Sequence, residues 1–180
     1  MLMGSVSWAA VLVAGAVLLG CSGAEWRAVE IDSPYQAPKA LTVTVVAPRV
    51  AQEASQALIS ALVDELRSSG ISATIVSGTA GGAEANLTIS KWEPGSQAMR
   101  WLVGFGAGEG EIVVTVDTAT IGIAGTAHGW ISGGFFGGDS NDSAIATGRL
   151  IGRTIITGRS ETQPRQPKTP RSMASRVGAQ

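Results

Sequence analysis

Apolar and polar positions change period several times along this chain, and each change marks an element. Leu41 to Val46 (LTVTVV) sets Leu41, Val43 and Val45 against Thr42 and Thr44, the period-two pattern of a half-buried strand. From Ala51 to Ser69 the period lengthens. Ala54, Leu58, Ala61, Leu62 and Leu66 then make one helical stripe, and Gly70 stands where a C-cap belongs. Ile71 to Val76 returns to alternation, so strand, helix and strand follow one another as in a βαβ unit with a parallel strand pair. SGTAGGAEA (77–85) is a loop by composition. Three strands are predicted next: 86–92, 109–117 and 123–132, the last two joined as an antiparallel hairpin across TATIG. Arg100 to Phe105 also reads as extended. A final stripe of Ala144, Ile145, Gly148, Ile151, Gly152 and Ile155 predicts a C-terminal helix, with Asp139-Ser-Asn-Asp supplying N-cap chemistry. Gly148 and Gly152, one turn apart, predict that this helix sits close to the sheet. The fold class is therefore α/β: a small mixed sheet beginning with a βαβ unit, followed by antiparallel strands and a C-terminal helix.

The two ends differ from this middle. Trp8 to Gly20 is a continuous apolar run of a length that suits a signal-peptide core better than a membrane span. It ends in Leu18-Leu19-Gly20-Cys21, which matches the bacterial lipobox. The Cys21 thiol is the nucleophile that would take diacylglycerol, and the small Gly20 would admit the peptidase to the Gly20–Cys21 bond. Residues 1–20 are thus expected to be a lipoprotein signal peptide, although Met1 to Trp8 holds no Lys or Arg. An uncleaved apolar segment with a structural cysteine is the alternative. Ser22, where some bacteria read an Asp as a retention signal, directs the expectation to the outer membrane, with the domain in the periplasm. Residues 21–39, polar and containing Pro34 and Pro38, read as a tether, which leaves 40–158 as the domain. Residues 159–180 hold three prolines, five basic residues and one acidic residue, a disordered basic tail of about +4.

Composition narrows the function. A net charge of −1 excludes a nucleic-acid field over the whole chain. One Cys and one His exclude a disulfide within the chain and a cysteine or multi-histidine metal centre. The glycine-rich segment RWLVGFGAGEGE (100–111) lacks the sixth-position glycine of a dinucleotide fingerprint and the Lys-Ser/Thr of a P-loop. Gly104, Gly106, Gly108 and Gly110 instead recur at period two, which in a strand clears one face for close approach of backbone. GGFFGGDSND (133–142) reads as a connection into the last helix, with Phe135 and Phe136 either at a partner contact or folded on the core. Asp139, Asn141 and Asp142 are spaced for capping rather than for a calcium loop. His128 has no nucleophile beside it in sequence; Asp117 is the carboxylate a hairpin could bring near it. Trp92, Trp101 and Trp130 read as core aromatics or as a glycan-stacking surface.

The order of an LLGC anchor, a strand, a helix ending in LRSSG, then ISKWEPGSQAMRWLVGFGAGEGEIVVTVD and a late GGFFGG resembles a bacterial lipoprotein family known as domain of unknown function 4410. EPGSQAMRWLVGFGAGEGEIVVTVD (93–117) carries the resemblance most specifically, over a span of about 40–158. The family implies a small α/β envelope domain without an established activity, catalytic residues or cofactor. The turn Asp117-Thr-Ala-Thr-Ile-Gly122 is longer by one or two residues than the family's usual "aspartate, small residues, glycine" turn. Together these readings predict a lipid-anchored, non-enzymatic binding or scaffolding domain whose partner is an envelope protein or glycan, with no metal or cofactor. A subunit of a homo-oligomeric ring or pore is the alternative.

Overall fold

In the computed structural model of the chain, the described residues are 21–76, 84–95, 109–118, 120–132, 139 and 141–160. They form one six-stranded sheet and two helices. The strands are β1 (Cys21–Ile31), β2 (Ala40–Val46), β3 (Ser72–Val76), β4 (Ala85–Glu93), β5 (Gly110–Thr118) and β6 (Ile123–Ser132), in spatial order β1-β6-β5-β4-β2-β3. A 3₁₀ turn at Arg49–Ala51 leads into α1 (Gln52–Ser68), and α2 (Asp142–Thr157) follows the last strand.

The βαβ unit is present, with β2 and β3 adjacent and parallel. On its other side β2 pairs in parallel with β4, and β4-β5-β6 continue as antiparallel neighbours. The α1 stripe buries Ala54, Leu58, Ala61, Leu62 and Leu66. The helix stops at a left-handed Gly70 (φ +80°), where the Ile71 N–H reaches the Leu66 carbonyl and the Gly70 N–H reaches that of Arg67. That pair of bonds is a Schellman closure.

Both helices lie on one face of the sheet. Strand alternation delivers Ile112, Val114 and Val116 from β5, Ile123, Ala127 and Ile131 from β6, and Leu41 and Val43 from β2 to that face. The two glycines of α2 play a different part from the one predicted. A Cβ at Gly148 would collide with the Leu58 carbonyl oxygen, and one at Gly152 would come within 2.9 Å of the Glu65 Cβ, so they face α1 rather than the sheet. The helix approaches the sheet closely at Gly129 of β6, where a Cβ would strike Thr147 Oγ1 and stand 2.6 Å from the Ser143 carbonyl oxygen. Capping differs too. Asn141 occupies the N-cap without a side-chain hydrogen bond, while its own N–H donates to Asp139 Oδ1 at 3.2 Å.

The largest correction concerns residues 21–39. They belong to the fold and are not a tether. β1 starts at Cys21 and pairs antiparallel with β6 along its length. Trp26 is buried, and its indole N–H donates to Thr154 Oγ1 of α2 at 2.9 Å. Tyr35 packs against Gly158, and its hydroxyl donates to the Ile155 carbonyl. The pattern hid this strand because the register shifts between Trp26 and Ala28. One extra residue there moves the inward set from Ala24 and Trp26 to Val29 and Ile31, which breaks the strict alternation. The sheet therefore begins with β1, ahead of the βαβ unit.

Candidate functional site

The face of the sheet away from the helices carries the chemistry. Residues that pair across strands share a face, so the register assembles it: Glu25, His128, Val113 and Lys91 lie abreast on β1, β6, β5 and β4. Gly23, Trp130, Glu111 and Glu93 form the next row. On the other side of the Glu25 row, Ala28 and three threonines, Thr126, Thr115 and Thr88, make a third row.

Glu111 is the hub of this face. Its carboxylate meets Arg27 Nη2 at 3.0 Å, Lys91 Nζ at 2.8 Å and His128 Nε2 at 2.8 Å. Lys91 also reaches Glu93 Oε1 at 3.1 Å. The His128 ring is buried at 6% exposure, with Nε2 directed at the Glu111 carboxylate. Among the described residues Nδ1 has no hydrogen-bond partner, and it faces Glu25 Oε1 at 3.7 Å. Trp130 is tilted 40° against the imidazole, 5.8 Å between centroids, and lies so close over β1 that a Cβ on Gly23 would stand 2.6 Å from its ring.

Electrostatics follow from this crowding. The hydrogen bond from Lys91 holds the Glu111 carboxyl below its ordinary range, with the charges of His128, Lys91 and Arg27 adding to it and partial burial opposing it. The same bond, with the one to Glu93, raises the Lys91 ammonium above its usual range. The charges are thus largely spent on one another. Among the described residues, no group of three or more His, Cys, Asp or Glu is arranged to hold a metal ion. What the cluster does chemically is clasp four strands together and present a polar, charge-balanced surface.

The predicted site residues are dispersed. Cys21 opens β1, paired with Ser132. Gly110 opens β5 and is buried, and a Cβ there would lie 3.1 Å from the Pro94 carbonyl oxygen. Gly20, Gly104, Gly106, Gly108, Trp101, Phe135 and Phe136, with the extended reading of Arg100 to Phe105, lie outside the described residues. Asp117 is four residues along β5 from the position opposite His128, so Glu111 and Glu25 take the place considered for it. Trp92 packs on the helix-covered face and Trp130 on the other, so these two do not share one stacking platform.

The network itself was missed in the sequence. Glu25 and Arg27 lie in the stretch whose polar, proline-containing composition predicts a tether, and Lys91 follows a second register shift, between Ile89 and Lys91. The available signal was Glu-Trp-Arg just after the lipobox, a short apolar–polar alternation.

The family described as Domain of unknown function (DUF4410) matches residues 47–144, more than half of the chain. This chain belongs to that family. The matched span runs from just after β2 into the start of α2 and contains the hub residues Lys91, Glu111 and His128. No curated protein matches the sequence. Among solved structures, the chain is similar to the PelC dodecamer from Paraburkholderia phytofirmans, at 14% identity and a TM-score of 0.45 over 79% of this chain and 100% of that one. It is also similar to a minor lipoprotein from Acinetobacter baumannii, at 10% identity and a TM-score of 0.37 over 68% of this chain and 96% of that one.

Proposed function

We propose that this protein is an outer-membrane lipoprotein, anchored through an acylated Cys21, whose periplasmic domain binds or scaffolds envelope components without catalysis. The observation that carries the reading is the continuity of anchor and fold: the lipobox cysteine is also the first residue of a sheet strand. Attached acyl chains would fix the domain at the membrane surface, each buried methylene contributing about 0.8 kcal/mol. The polar outer face supports binding over chemistry, because its hub carboxylate is occupied by three basic groups. Its partner class is an envelope protein or a glycan. Labelled palmitate is expected to enter the protein, and Cys21→Ala to abolish both labelling and membrane retention. A wild-type chain that takes up no label and fractionates as soluble would overturn the assignment.

Assembly as a homo-oligomeric ring is the second reading. It is favoured by the two sheet edges, β1 and β3, each of which has a strand on one side only. Size measurement of the lipidated protein in mild detergent separates a monomer from a ring.

A further inference from the structure

Val50 is the most exposed large apolar residue of the described chain, at 79%. It lies in the 3₁₀ turn between β2 and α1, on the rim of an open cavity of about 390 Å³ lined by Arg49, Val50, Gln52, Glu53, Trp92 and Pro94. Register places this cavity relative to Cys21. Glu93 stands level with Glu111, Trp130 and Gly23, so the end of β4 is two residues from the level of Cys21, about 7 Å along the strand, and Pro94 continues toward that level. β4 is three strands from β1, about 14 Å across the sheet. The cavity rim and Cys21 therefore belong to the same end of the domain, and β1 leaves no spacer between them.

We infer that this end of the domain is a bilayer-contacting surface, with Val50 entering the interface as a second foothold beside the lipid on Cys21. The inference rests on the proposed anchor. A domain held only at one corner, through β1 at the sheet edge, is free to pivot. An apolar tip on the same end, with Pro94 and the partly buried Trp92 beside it, stops the pivot by seating that end on the lipid. The contact is led by apolar insertion and not by charge, because Glu53, in the first turn of α1, lines the same cavity as Arg49 and offsets its charge toward anionic headgroups.

The test uses the full lipidated chain in vesicles of phosphatidylethanolamine and phosphatidylglycerol. Acylation blocks Cys21, the chain's one native cysteine, so Val50→Cys carries the sole free thiol for an environment-sensitive dye. Thr120→Cys, in the β5–β6 turn at the opposite end of the sheet, is the reference. Expected is one dye per chain, with emission at position 50 shifted to the blue and quenched several-fold more by lipid-borne nitroxides than at position 120. One dye per chain with equal quenching at both positions, or none at either, overturns the docking and leaves the anchor standing. Two dyes per chain, with no flotation alongside the vesicles, reveal a free Cys21 and overturn both. Val50→Asp, in chains that still float, is expected to make the domain cleavable by added protease at a faster rate; an unchanged rate counts against the foothold.

Discussion

The two faces of the sheet were built by different means. The helix-covered face is a product of single-strand patterns: Ile112, Val114 and Val116 alternate along β5, and each strand supplies its own inward set. The outer face is a product of pairing. Glu25, Arg27, Lys91, Glu111 and His128 come from four strands, and no one strand holds more than two of them. The covered face tolerates no ambiguity of phase, because a slip of one residue would turn its apolar set to water. The outer face owes its order to that constraint, since burying the inner set fixes which charges stand opposite which.

The comparison can be broken hardest from the covered side. Trp26→Ala removes a buried indole and its bond to Thr154, and is expected to lower stability by about 3–5 kcal/mol in denaturant titration. A loss under about 1 kcal/mol would show that β1 is not integral to the core. Next comes Gly148→Val. Its side chain would enter the Leu58 carbonyl across the α1–α2 contact, for an expected cost of about 1–3 kcal/mol by overpacking. A melt matching the wild type would mean the helices have room to separate.

The outer face sharpens the comparison through pH. Because the Glu111 carboxyl is held below its ordinary value of 4.5, its ion pairs stabilise the fold fully above that value. That contribution is lost as pH falls through the lower, folded-state value. Glu111→Gln should therefore reduce stability at neutral pH and flatten the acid limb below about pH 4.5; parallel acid limbs for the two proteins would remove Glu111 as the hub. Smallest is Arg27→Ala, whose side chain is half exposed: a loss of about 0.2–1 kcal/mol is expected. A double-mutant cycle with Glu111→Gln reads the coupling, and zero coupling would make the contact incidental.

Much of the architecture was legible. The β2–α1–β3 unit, the β5–β6 hairpin and the terminal helix follow from period changes and from Gly70, because each is encoded within a dozen or so neighbouring residues. A bulge defeated that reading at β1; the one in β4 left the strand legible over 86–92 and hid only the faces that Lys91 and Trp92 take, because one added residue shifts the inward phase. The spacing of Gly148 and Gly152 marks close-approach positions but not their neighbour, which is α1 and not the sheet, since spacing along a helix says that a face is thin and not what lies against it.

Taken alone, then, the amino-acid sequence determined the apolar stripes, the helix stop, the membership of the DUF4410 family and the single thiol at Cys21, all properties of contiguous residues. Tertiary structure alone decided that β1 closes the edge of the sheet and that Glu111 gathers His128, Lys91 and Arg27. It also decided that Val50 stands at the end of the domain that carries Cys21. Those facts depend on distances between residues tens of positions apart, which come into being when burial of the inner face sets the strand register.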